Sequence, residues 1–128
     1  MDKERICIDT SVLIDYYRKK DKSKSKLVEL SRTYKFCISV ITKLKILVGV
    51  SPESEKFWTG IFSRITIIPI NELEVEKASH IIRSLRKQNK IIDIQDILIA
   101  ATAIANNVKL CTINKKHFDR ISELKIIE

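Results

Sequence analysis

Apolar positions along this chain fall into two rhythms, and the rhythms alternate. Arg5 to Ile8 is a short β-branched run that reads as a buried strand, closed by Asp9-Thr10-Ser11, a helix start. A first helix is expected over Val12 to Arg18. A second is expected over Lys22 to Thr33, with Leu27, Leu30 and Tyr34 near one face. Phe36 to Ser39 reads as a strand, and Ile41, Leu44, Leu47 and Val48 keep helical spacing up to Gly49. Pro52 suits the first turn of another helix, N-capped by Ser51 and running to about Phe62.

The second half repeats the alternation. Arg64 to Pro69 is strand-like. Asn71 caps a long helix to about Asn89, with its apolar stripe on Val75, Ala78, Ile81, Ile82 and Leu85. Asp93 opens a helix to about Asn106 that is apolar nearly all round, through Ile97, Leu98, Ile99, Ala100, Ala101, Ala103 and Ile104. Such a helix belongs at the centre of a core. Lys109 to Thr112 is a strand, Lys116 to Ile121 a helical turn, and Leu124 to Ile127 a last strand. With two glycines in the chain and no Asn-Gly hairpin signal, the alternation predicts an α/β fold with a parallel sheet and crossover helices. No linker, repeat or low-complexity stretch divides residues 1–128, so one domain is expected.

Composition narrows the partners. Twenty-four basic against sixteen acidic residues leave a net charge of +8, which favours an anionic partner without naming it. The densest basic stretch, Arg18 to Lys26, reads equally as a solvated helix end. No apolar run approaches the roughly 18 residues of a membrane span, and the opening Met-Asp-Lys-Glu-Arg is too short and acidic for a signal peptide. A cytoplasmic protein with no membrane association is therefore expected. Cys7, Cys37 and Cys111 lie singly in strand-like segments, away from His80 and His117, and read as small buried apolar side chains.

Ligands of parallel α/β sheets sit beyond the carboxyl ends of the strands. Asp9 follows the first strand, Asn114 follows the Lys109–Thr112 strand, and Asp93 and Asp96 open the central helix. Gathered at one sheet edge, these oxygen donors suit a hard divalent cation that activates water against a phosphodiester. Each also has a plainer use. Asp9 serves as an N-cap, Asp93 with Asp96 as an N-cap and first-turn acid, and Asn114 as a turn residue.

Four segments resemble the PIN-domain family, and its VapC-like toxins in particular. Ile8-Asp-Thr-Ser-Val-Leu-Ile14 is similar to the opening Asp-Thr-Ser/Asn motif. Ser39-Val-Ile-Thr42 with Gly49 is similar to the Ser-x-x-Thr-x-x-Glu-Leu-x-x-Gly helix. Asp96-Ile-Leu-Ile-Ala-Ala-Thr-Ala103 resembles the Asp-x-Leu-Ile-Ala-Ala-x-Ala helix, and Leu110 to Asn114 with Phe118, Ile121 and Leu124 resembles the closing segment. The resemblance implies a three-layer fold with a short central parallel sheet. It implies a toxin endoribonuclease using Mg2+ or Mn2+, with Asp9 and Asp96 as the metal-site carboxylates and Asn114 in the fourth acidic-or-amide position. Thr10, Ser11 and Thr112 would support the site by hydrogen bonds, with Asp93 as an accessory acid. A cognate antitoxin, an RNA substrate and a homodimer are the partners it implies.

One position departs from the pattern. The family's second acid falls three residues after Thr42, and Lys45 stands there; residues 30–52 contain no Asp or Glu. An ammonium in place of a carboxylate changes the local charge by two units and is expected to be drawn to Asp9 and Asp96. A chain so altered is expected to bind metal poorly and cut RNA weakly or not at all. The alternative from another class is a non-catalytic PIN-like module that binds RNA or protein. A receiver-like phosphoacceptor domain is set aside, because Asp9 ends the first strand rather than a central one.

Overall fold

A computed structural model describes residues 2–127. Four strands, β1 (Glu4–Ile8), β2 (Tyr34–Ser39), β3 (Thr66–Ile68) and β4 (Lys109–Cys111), form one parallel sheet in the order β3-β2-β1-β4. Six helices connect them: α1 (Thr10–Arg18), α2 (Lys26–Ser31), α3 (Val40–Val48), α4 (Glu55–Arg64), α5 (Glu72–Lys87) and α6 (Ile94–Ala105). The expected α/β architecture with flanking helices is present. The chain winds outward from β1 to β3, then α5 and α6 carry it back past β1 to β4. This places a topological switch point between β1 and β4, the position at which open parallel sheets bind ligands.

Strand alternation builds a core on each face of the sheet. Ile6 and Ile8 of β1 pack with Val12, Leu13, Leu30 and Trp58 on one side. Cys7 points the other way, into Ile81, Leu85, Ile97, Ile99, Leu110 and Phe118. Helix α6, buried along most of its length, is the central helix its sequence predicts. The three cysteines are buried, and Cys7 and Cys37 are register partners on adjacent strands. The neighbouring Cys37 side chain and burial push the Cys7 thiol up, whereas Cys37 is pulled down by the Cys7 side chain; in the structure the Cys37 thiol donates to the Ile6 carbonyl at 3.5 Å.

Several boundaries differ from those expected from the sequence, each for a local reason. The helix expected over 22–33 is split. Asp21 accepts from the Ser23 N–H to close a 3₁₀ turn over Lys22–Lys24, and Ser25 caps α2 afresh through the Val28 N–H. Pro52 does not open α4, because Ser51 and Ser54 bond each other in a tight turn and the helix starts at Glu55. The turn expected over 116–121 is a 3₁₀ turn over Lys115–His117. The final strand is reduced to one parallel bridge between Leu110 and Ile126. Helices α5 and α6 end as their asparagines suggest, with Asn89 and Asn107 at φ 54° and 55°, the left-handed closure that asparagine tolerates.

The buried Glu74 joins those two helices. Its Oε1 accepts from the Asn71 N–H at 2.9 Å, completing a capping box, and its Oε2 accepts from Asn106 Nδ2 at 3.0 Å. Burial pushes its carboxyl up, but these bonds outweigh burial and hold it below the ordinary glutamate range. A depressed folded-state pKa gives stability above the unfolded value of about 4.3 that is lost as pH falls through the folded value. Glu74→Gln is therefore expected to cost on the order of 1 kcal/mol at neutral pH. The gap between the two proteins closes on acidification, as thermal unfolding followed from pH 7 downward would register.

Candidate functional site

Asp9 leaves the end of β1 and N-caps α1, so its capping and cleft-lining uses coincide. Its own N–H donates to the Cys111 carbonyl at 2.9 Å, tying the ends of β1 and β4 together. Its Oδ1 accepts from the Thr10 N–H at 2.7 Å. Its Oδ2 accepts from Thr112 Oγ1 at 2.8 Å and from Ser11 Oγ at 3.0 Å. The two hydroxyl oxygens in turn accept from the N–H groups of Asn114, at 2.9 Å, and Ile113, at 3.1 Å. This net fixes the loop after β4 against the buried carboxylate. Ser11 and Thr112 thus support Asp9 directly. Thr10 supports it through its backbone alone, since its Oγ1 is buried without a partner among the described residues.

Asp96 lies in the first turn of α6 and is 7% exposed. Lys45, on α3, holds its Nζ 3.5 Å from Asp96 Oδ1. On the other side, His117 Nδ1 is 3.3 Å from Asp96 Oδ2. Asp93 caps α6 by accepting from the Gln95 N–H at 2.7 Å.

Asp9, Thr10, Ser11, Lys45, Asp93, Asp96 and Asn114 all border one open cleft of about 800 Å³ at the switch point. Thr112 lies beneath it, 4% exposed. His117, Arg18 and Lys19 also line this cleft, and none of them was a candidate for the site from sequence alone. For α1 the signal was present: Ser11, Asp15 and Arg18 recur at helical spacing on the face that carries the site. His117 follows Asn114 by three residues, one 3₁₀ turn, which gives a weaker hint.

The cleft's lining carries four carboxylates, Asp9, Asp15, Asp93 and Asp96, against three cations, Arg18, Lys19 and Lys45. With His117 neutral the sum is one negative charge. A divalent ion at Asp96 would have to displace an ammonium whose attraction at 3.5 Å is on the order of 4 kcal/mol before desolvation, at an effective dielectric near 20. At Asp9 it would compete with three hydrogen bonds already made to the carboxylate. Among the described residues no three His, Cys, Asp or Glu side chains form a group able to hold a metal ion. The residues present therefore do not fit the divalent ion that the family resemblance implies.

Known proteins place this geometry in a family. The PIN domain family matches residues 6–124. Ribonuclease VapC1 of Methanocaldococcus jannaschii is 38% identical over 130 residues, spanning 99% of this chain and 90% of that protein. Ribonuclease VapC1 of Rickettsia felis is 34% identical, spanning 95% and 94%. The crystal structure of VapBC2 from Rickettsia felis, bound to a DNA fragment from their promoter, superposes with a TM-score of 0.82 at 29% identity, covering 96% of this chain and 97% of that one. Through a match over nearly its whole length, the chain belongs to the PIN-domain family, among its VapC members.

Proposed function

We propose that this chain is the toxin ribonuclease of a VapBC-type toxin–antitoxin pair, with its hydrolytic power held far below that of an acid-bearing relative by Lys45. PIN-domain VapC nucleases are divalent-metal dependent as a class. In this reading Asp9 and Asp96 are the metal-site carboxylates, for Mg2+ or Mn2+, once position 45 carries an acid. Asn114 orients the scissile phosphate or water, Ser11 and Thr112 hold Asp9, and Asp93 is accessory. The observation that carries the reading is Asp9 and Asp96 bordering one cleft at the switch point, with an ammonium seated on the second carboxylate.

The antitoxin relationship follows from the company of relatives, which include toxin–antitoxin complexes. A homodimer is proposed on the exposed apolar side chains of Leu44, Leu47 and Val48 on α3 and of Leu73 and Val75 on α5. The aromatic side chains of Tyr16, Tyr17, Phe57 and Trp58 form one cluster between α1 and α4. Trp58 is buried within it and Tyr17 is 39% exposed, so the cluster is partly core and partly surface. No helix among the described residues is long and apolar enough to cross a membrane; the cytoplasm is the proposed location.

A second reading, a PIN module that binds without cutting, is favoured by the same Lys45–Asp96 pair. Growth separates the two. Induced expression of Lys45→Glu is expected to arrest a bacterial host, and Asp9→Asn in that background to relieve the arrest, while the chain itself is tolerated. If Lys45→Glu is as harmless as the chain at matched expression, the binding module is the better account. Co-purification with the product of the adjacent gene tests the antitoxin.

A further inference from the structure

The charge carried by Lys45 has a consequence for RNA binding that is separate from cleavage. With an acid at position 45 the cleft lining would sum to three negative charges, instead of the one it now carries. One divalent ion would bring that acidic lining back to a single negative charge. The ammonium of Lys45, tethered to α3 and 27% exposed, therefore supplies without any ion the same electrostatic background that an acid-bearing cleft reaches only when loaded.

The cleft does not end at Asp96. A smaller depression of about 260 Å³ adjoins it, sharing Asp93, Asp96 and His117 and reaching Lys116 and Arg120. The continuous groove has cations at both ends: Arg18 and Lys19 at the α1 end, Lys116 and Arg120 at the other. Lys45 and His117 flank the carboxylate between them. Spaced cations along a groove suit a single strand's backbone, each removing one condensed counterion. Apolar side chains border it, Ile113 half-exposed and Ile91 91% exposed, with the imidazole of His117 as the one ring in the lining, so phosphate contact outweighs base stacking.

We propose that this groove binds single-stranded RNA without a divalent ion, the Lys45 ammonium standing in for the ion's charge. The inference rests on the reading of this cleft as the RNA site. It goes beyond that reading by assigning metal-independent binding and a path between two basic ends.

The test is fluorescence anisotropy with a fluorescein-labelled single-stranded RNA oligonucleotide, in EDTA and in Mg2+. The chain is expected to bind equally in both. Lys45→Glu is expected to bind about tenfold more weakly in EDTA, two charge units at ångström range from a phosphate, and to recover in Mg2+. Lys45→Met, which keeps the stem without the charge, is expected to fall between them in EDTA; thermal melts confirm that each variant is folded. Exchanging Lys116 and Arg120 for serine is expected to lower the slope of log affinity against log salt by about 0.7 per cation removed.

Binding by the chain that requires Mg2+, or equal affinity of all three position-45 proteins in EDTA, overturns metal independence. An unchanged salt slope on removing Lys116 and Arg120 overturns the path. If Lys45→Glu cleaves RNA with Mg2+ while the chain binds none in EDTA, the inference falls and the ribonuclease reading stands. If the chain binds in EDTA but Lys45→Glu does not cleave with Mg2+, the ribonuclease reading falls and metal-independent binding stands.

Discussion

Lys45→Glu is expected to raise Mg2+- or Mn2+-dependent RNA cleavage in vitro by about 10²-fold or more over the chain as it stands. The size of the effect follows from what the one side chain does. Lys45 Nζ sits 3.5 Å from Asp96 Oδ1, on a side chain only 10% exposed, so the acid that should attract an ion already has a cation beside it. Glutamate removes that competitor and adds an oxygen donor, the ligand type that Mg2+ and Mn2+ prefer. The framework needs no rebuilding, because Asp9 is fixed through hydrogen bonds from Ser11, Thr112 and the Thr10 N–H, whereas Lys45 bonds to Asp96. Adding Asp9→Asn to Lys45→Glu is expected to return cleavage to the starting level, as is EDTA. The measurement is the rate of loss of a labelled single-stranded RNA under single-turnover conditions. Equal rates for the chain and Lys45→Glu at saturating metal would refute the idea that Lys45 blocks the site.

The parts of this site that were legible in the sequence are those fixed by position on an element. Asp9 ends a strand and starts a helix, and Asp96 opens the one helix apolar enough to be central. In a parallel sheet both therefore face the carboxyl edge whatever the details. Lys45 was legible as a departure from a motif, and its preference for Asp96 over Asp9 follows from packing. Asp9 has its carboxylate covered by hydrogen bonds, while Asp96 keeps both oxygens open to partners. His117 escaped because the short turn expected over 116–121 has no apolar face to orient it, and only the folded path of the chain brings it to α6. The split of the 22–33 helix and the late start of α4 were hidden for a different reason. Serine and aspartate side chains there capture backbone N–H groups and compete with the helix, a contest that apolar spacing does not register. Likewise, the last strand has the composition of one but contributes a single bridge, because its backbone bonds to β4, from the Lys125 carbonyl and the Ile127 N–H, both go to Leu110.

Phe118→Ala is expected to cost about 3–5 kcal/mol of folding stability, the range for removing a large aromatic side chain from a close-packed core. Phe118 is fully buried against the α6 side of the sheet, in the same cluster as Ile99, Ala100, Ala103 and Leu110. The other members of that cluster sit on the sheet, on α5 and α6 and on the closing segment, elements held by their own backbone hydrogen bonds, so the space is not expected to close fully. Against a total of about 5–15 kcal/mol for a domain, this is a large fraction, and a fall in melting temperature of about 10–20 °C should follow. The consequence reaches the site, because Phe118 directly follows the turn that carries His117 and anchors the segment beginning at Asn114. In a Lys45→Glu background, Phe118→Ala should therefore lose cleavage at temperatures where the protein remains folded. Ile91→Ala, at a side chain 91% exposed, supplies the contrast and should change stability by no more than about 0.5 kcal/mol. Chemical denaturation of the three proteins measures this directly. A loss at Phe118 no larger than that at Ile91 would mean that the closing segment does not pack on α6, and the placement of Asn114 and His117 would fall with it.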